Sequence, residues 1–239
     1  MADYWFDALI AAAATVTQEV PIDGQTGVWL KQGTTVISSG MKMTGVTVGD
    51  GQALYIYNRG RANSTNVSSG GIMYVSSGGV AIGASVYRNG SANVYGLLSG
   101  VSQLESAANV TVFNGGVVSS AFVLLGTLLV SSGGFAENAV ASAFAPASRG
   151  LLNLRAGGSM NRVTCLRAEN AYLNGYVTNL LVSGVGGVAV AYLRSPCVAS
   201  GVSVTSGALV VSSGASALAV TSGDSATVTA LSGGYIEYT

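Results

Sequence analysis

Residues 67–79 read Val67-Ser68-Ser69-Gly70-Gly71-Ile72-Met73-Tyr74-Val75-Ser76-Ser77-Gly78-Gly79, one five-residue unit written twice at a spacing of eight. Related units stand at Ile37-Ser38-Ser39-Gly40, Val130-Ser131-Ser132-Gly133-Gly134 and Val211-Ser212-Ser213-Gly214. Their anchors at positions 37, 75, 130 and 211 are separated by two, three and four turns of a period near nineteen. Ala171-Tyr172-Leu173 returns one such period later as Ala191-Tyr192-Leu193. A fixed period of this size marks a repeat array.

Within each period, short alternating stretches such as Leu54-Tyr55-Ile56-Tyr57, Val80-Ala81-Ile82 and Thr227-Val228-Thr229 separate the Gly/Ser clusters. Alternation is the signature of a strand with one buried face. The clusters supply corners, because glycine reaches positive φ without steric cost. Each period therefore predicts a coil of two or three short strands that cannot bury its own apolar side. Stacking coils pairs every strand in parallel with its neighbours and closes a continuous core. The expected fold is all-β: a right-handed parallel β-helix, or solenoid, of about eleven coils of roughly 19 residues over 34–239, with residues 1–33 as an N-terminal cap or docking segment. A helical repeat is disfavoured, since glycine at the frequency seen here costs ~1 kcal/mol each inside a helix.

Composition narrows the function classes. The chain has 239 residues, 49% hydrophobic and 8% charged, with 34 glycines and 3 prolines. That apolar content argues against disorder, and the absence of a three-residue glycine period argues against collagen. Ten basic residues balance ten acidic ones, so no nucleic-acid partner is expected. No apolar run approaches the ~18 residues of a membrane span. Asp3 and Asp7 precede the first basic residue, Lys31, unlike the positive leader of a secretion signal. A surface poor in charge resists association weakly, which predicts a homo-oligomer or filament.

Chemistry-bearing residues are sparse. The chain has no histidine, which removes the common general base and the usual zinc sites. Glu105, Glu137 and Glu169 are evenly spaced at a non-integral number of turns, between one and two, and so fall on different sides of the rod. Cys165 and Cys197 read as small apolar core residues, with a single bridge as the alternative. The turns lack the repeated Asp of calcium-binding β-rolls. No catalytic, metal or cofactor site is expected.

The candidate binding residues are therefore surface features. Tyr55 and Tyr74, one period apart, should stack in one exterior column; Tyr57 and Tyr95, two periods apart, share another; Tyr172 and Tyr192 form a third. Aromatic columns grip sugars or partners, or only stiffen the sheet. Residues 135–170 fit the period poorly and hold Arg149, Arg155, Arg162 and Arg167, a set suited to anionic glycans or phosphate or else a solvated face. Trp5, Phe6 and Trp29 mark the cap or docking segment.

The Val-Ser-Ser-Gly-Gly units at 67–71, 75–79 and 130–134 resemble the repeats of the AIDA and antigen 43 group of bacterial autotransporter passengers. That resemblance covers most of residues 34–234 and implies a surface-displayed, self-associating adhesin with extracellular or cell-surface localisation, in reach of cell-surface glycans. It transfers no functional residue, because the motif is a folding unit. The alternatives are a phage tail fibre or tailspike-like receptor-binding shaft on a virion and, last for want of paired carboxylates, a carbohydrate-active β-helix enzyme.

Overall fold

The computed structural model describes residues 30–31, 34–37, 39–104, 107–142, 150–166, 170–184 and 189–239. Each coil contributes three short strands. In one coil they are Ala53–Ile56, Arg61–Asn63 and Asn66–Val67; in the next, Ile72–Val75, Val80–Ile82 and Ser85–Val86. Stacked coil on coil, they form three parallel sheets, termed A, B and C here.

Sheet A sets the count. Thr34, Ala53, Ile72, Ser91, Asn109, Thr127, Leu151, Asn170, Val190, Ala208 and Thr227 are successive in-register partners. These eleven rungs run from Thr34 to Thr227 in ten steps, a mean period of 19.3. At about 4.8 Å per rung the stack is about 48 Å long. The chain is thus an all-β parallel solenoid with the expected period and coil number. In several coils sheets B and C merge into one strand, as in Leu97–Leu104 and Ser159–Leu166.

Two kinds of corner turn the chain. In Ser76-Ser77-Gly78-Gly79, between sheets A and B, the Gly79 amide donates to the Ser76 carbonyl at 2.8 Å. Gly78 has φ +74°, as the third residue of a type II turn requires. Gly79 is there for another reason: a Cβ on it would stand 2.5 Å from the Ile56 carbonyl oxygen of the coil below. The twin unit at 67–71 builds the C-to-A corner, where the Gly71 amide donates to Ser68 at 2.9 Å. The spacing of the twins is one sheet A strand plus one turn. The B-to-C corner is a single left-handed residue, glycine at Gly83 and Gly100 but Ser64, Asn138, Arg162 and Ala219 elsewhere.

Alternation then sorts the side chains. Ile56, Val75, Val94, Val112 and Val130 stack as one fully buried column of sheet A. Sizes offset one another within a rung: Met73 is matched by Ala81, Ala92 by Leu98, and Leu128 by Ala136, all fully buried or nearly so. Such complementarity suits close packing of the interior, and each large aliphatic removed from water contributes roughly 1.5–3 kcal/mol.

The poor fit of residues 135–170 to the period is local. Phe135–Glu137 pairs in register with residues 117–119 and 159–161, and Thr164 and Cys165 pair with Val140 and Ala141. The excess is confined to the one long step from Thr127 to Leu151, which contains residues 143–149 outside the described set. At the start of the stack, Leu30–Lys31 pairs antiparallel with Thr34 and Thr35. Trp5, Phe6 and Trp29 lie outside the described residues. Tyr235–Tyr238 is the last rung, paired with the strand below it. No helix among the described residues is long and apolar enough to cross a membrane.

Candidate functional surface

The first tyrosine column forms as the register dictates. Tyr55 and Tyr74 are paired on adjacent strands, and their rings stack at 4.6 Å with planes 5° apart. Tyr57, just beyond the same strand, lies 6.2 Å from Tyr55 at 16°. Burial, followed by the neighbouring Tyr74 and Tyr57 phenols, raises the Tyr55 pKa above its ordinary value of 10.0. The phenol therefore stays protonated and able to donate at neutral pH. A sugar stacks on an open ring face, and within this pair each ring covers the face of the other. One face of each ring is thus taken up by its neighbour, which leaves less of the pair open to a stacked sugar.

Tyr57 and Tyr95 stand at the same A-to-B corner station, two coils apart, with Ser76 between them. They do not stack. Tyr95, 41% exposed, stacks instead on Phe113 at 4.5 Å and 6°, the next residue up that corner. Phe113 was absent from the sequence expectation; its spacing of one period from Tyr95 was the available signal.

The third column carries a cation. Tyr172 and Tyr192 stack at 5.3 Å and 17°, and the Arg194 guanidinium lies 4.3 Å from the Tyr172 ring centroid and 5.9 Å from that of Tyr192. A guanidinium at this range is held by the ring quadrupoles. Sequence reading missed Arg194, although its position next but one after Tyr192 puts it on the same outer side.

The four sequence-predicted arginines do not form one site. Arg155 is exposed at the A-to-B corner, at the same station as Asn174 and Arg194. Arg162 is exposed at the B-to-C corner with φ 52°. These corners lie at opposite ends of a sheet B strand. Arg149 and Arg167 lie outside the described residues, as do Glu105 and Glu169. Glu137 accepts a hydrogen bond from Ser119 Oγ at 3.1 Å. It shares its outward column with Glu237 five rungs away, about 24 Å, far beyond the roughly 5–9.5 Å of a glycosidase pair.

Cys165 and Cys197 are both buried and are not bridged to each other. Cys165 sits between Ala141 and Val182 in the core of sheet C. Cys197 occupies the corner station that holds Gly79 elsewhere, and burial pushes its thiol up to about 12.

No family model matches the chain, and no curated protein matches it. Among solved structures, it is similar to a TibA fragment of residues 55–350, hyper-glycosylated by TibC, at 23% identity and TM-score 0.48, with 91% of this chain and 94% of that one covered. A candidate glycosyl hydrolase from Parabacteroides merdae aligns at 9% identity and TM-score 0.12, covering 75% of this chain and 82% of that one. At these scores neither alignment carries an argument about activity.

Proposed function

We propose that this solenoid is a structural and adhesive module, displayed outside the cell or on its surface, that works by contact between its outer faces and further copies of itself. The observation that carries this reading is the outside of sheet A. Its two outward columns are uncharged on every rung, from Thr34 and Val36 through Ile72 and Tyr74 to Thr227 and Thr229. They form a continuous face about 48 Å long, made of hydroxyl, amide, aliphatic and stacked aromatic groups. The columns themselves are uncharged, and with the Arg194 guanidinium over Tyr172 as the cation laid on them, the face has little long-range repulsion to hold identical rods apart. Its evenly spaced hydroxyls and amides can meet equivalent groups on another rod at the same interval. The sequence resemblance of the Val-Ser-Ser-Gly-Gly units to autotransporter passenger repeats supports the same reading.

The test is association of the purified chain. Sedimentation velocity over a concentration series should show reversible growth beyond the monomer, and beads coated with the protein should clump while bare beads stay dispersed. A monodisperse monomer with no bead clumping would overturn the reading. A stable trimer that survives dilution would favour a receptor-binding shaft instead.

A further inference from the structure

The formal neutrality of the chain hides an uneven layout. Residues 1–30 carry four acids, Asp3, Asp7, Glu19 and Asp23, and no base. Residues 31–90 carry five bases, Lys31, Lys42, Arg59, Arg61 and Arg88, against Asp50 alone, and the remainder has five of each sign. The fold concentrates that excess. Lys42 and Arg61 are exposed in-register partners on the outside of sheet B, and like charges set directly opposite destabilise a strand pair. Arg59 is exposed at the A-to-B corner just before Arg61, with φ 62°, between Gly40 and Gly78 of the coils below and above. An arginine in that left-handed conformation is strained. Among the described residues no carboxylate pairs with any of these three cations. Asp50 stands at the C-to-A corner, a full sheet A strand of about 13 Å away, and Arg88 is at that same corner two coils on.

The same end of the rod is incompletely covered. Among the described residues, Lys42–Thr44 and Thr47–Val48 are paired only on the side of the next coil. The inward Met43 and Val46 are half-buried, whereas Ala62 and Thr65 at the same stations one coil on are fully buried. Leu30–Lys31 shows the direction from which a cover arrives. It runs antiparallel to Thr34–Ile37, with Leu30 opposite Thr35 and Lys31 opposite Thr34. The chain before Leu30 therefore heads along that strand toward the A-to-B corner, where Lys42, Arg59 and Arg61 stand. Asp23 precedes Leu30 by seven residues, a reach of up to about 25 Å, enough to span the strand and the corner.

We propose that residues 1–29 fold back over the first coil, their carboxylates held by Lys42, Arg59 and Arg61 and their apolar side chains laid over Met43 and Val46. The basic corner is then a latch for the chain's own acidic segment. Charge balance, direction of entry and the half-covered core select the same occupant independently. A carboxylate on a guanidinium makes a strong, charge-assisted contact. Arg61 Nε is already engaged by Asn63 Oδ1 at 3.1 Å, which holds the guanidinium in place with its other nitrogens free to donate. Covering the first strands also removes an open edge on which foreign strands could pair. The competing occupant is a second copy, whose last two strands, Ser216–Ala230 and Tyr235–Tyr238, carry Asp224 and Glu237. The latch does not depend on contact between the outer faces of rods.

Both tryptophans of the chain, Trp5 and Trp29, lie in this segment. In the full chain carrying Trp29→Phe, Trp5 alone reports, and acrylamide quenching measures its exposure while circular dichroism confirms the fold. Reversing the corner with Lys42→Glu, Arg59→Glu and Arg61→Glu should raise the quenching constant at least threefold and move the emission to the red. Changing Asp3, Asp7, Glu19 and Asp23 to Lys in that variant should bring both values back. Arg155→Glu, at the same kind of corner farther up the rod, should change neither. Without any variant at the corner, 1 M salt should also free Trp5, because the Debye length falls to about 3 Å. If Trp5 is quenched in the parent as fully as in the unfolded chain, or if neither corner reversal nor salt moves it, the latch is overturned. A failure of the four acid-to-lysine changes to restore protection removes charge as its basis. If protection of Trp5 rises with protein concentration, the segment docks on a second copy and the intramolecular latch is wrong.

Discussion

Thr65 breaks the pattern of the core and makes the simplest residue-scale test. It follows the left-handed Ser64 at a B-to-C corner, where the next coils place Ala84, Val101 and Ala121. Its side chain is fully buried and its hydroxyl has no hydrogen-bond partner. A buried hydroxyl left unpaired costs about 1–3 kcal/mol, so Thr65→Val, which keeps the shape, should raise the melting temperature. A lower value by thermal melting would contradict that account. Cys197 gives a pH prediction. Its folded pKa of about 12 exceeds the ordinary 9.0 because burial disfavours the thiolate. The unfolded chain therefore loses this proton first. The thiol's contribution to stability is complete below pH 9 and is lost as pH climbs from 9 toward 12. Cys197→Ala should flatten that decline in a pH series of unfolding curves, and Ala215 at the same station one coil on shows that the smaller side chain fits. At a pH of about 8, below the ordinary thiol pKa, the native thiol should ignore a disulfide reagent that reacts once the chain is unfolded.

At the scale of the turn, two glycines that look alike in sequence should behave differently. Gly79→Ala drives a Cβ into the Ile56 carbonyl of the coil below; a main-chain atom cannot step aside, so a loss of several kcal/mol is expected, about the size of a severe core defect. Gly115 has φ +77° and open space where its Cβ would stand, so Gly115→Asn should cost only about 1 kcal/mol, the strain of a left-handed side chain. Equal losses in chemical denaturation would refute the distinction. The same contrast explains what could be read in advance. Val-Ser-Ser-Gly-Gly announced the two hydrogen-bonded corners because each glycine has a separate backbone duty there. The third sheet was harder to see: its strands are as short as Asn66–Val67 and Ser85–Val86, and its corner accepts Ser64, Asn138, Arg162 or Ala219 in place of glycine. The surface was legible where equal spacing sets like beside like, as at Tyr55 and Tyr74. It was not at Val80, Leu97, Val117 and Phe135, whose unequal steps along the chain reveal a column only once the corners have absorbed the difference.

Across the whole molecule, the stack behaves as a one-dimensional array in which each coil depends on the coils directly above and below it. Ile72 and Ser91 hold the same station on successive rungs, as do the Gly71 and Gly90 amides that close the turns before them, donating to Ser68 and Tyr87 at 2.9 Å. Removing residues 72–90 therefore joins Gly71 to Ser91 with every inward residue still facing inward. That deletion should fold, keep its parallel β spectrum and shorten the rod by one rung, about 4.8 Å, in small-angle scattering. Removing only residues 72–80 takes away nearly the same number of apolar side chains per residue deleted, but it eliminates one strand of sheet A and leaves the rest of its coil attached to the wrong corner. It should unfold that coil and melt well below the full chain. If both deletions fold equally well, local strand propensity rather than registered stacking holds the rod together. If neither folds, the array is more cooperative than nearest-neighbour coupling allows. Only survival of the full-coil deletion alone matches a core assembled one period at a time.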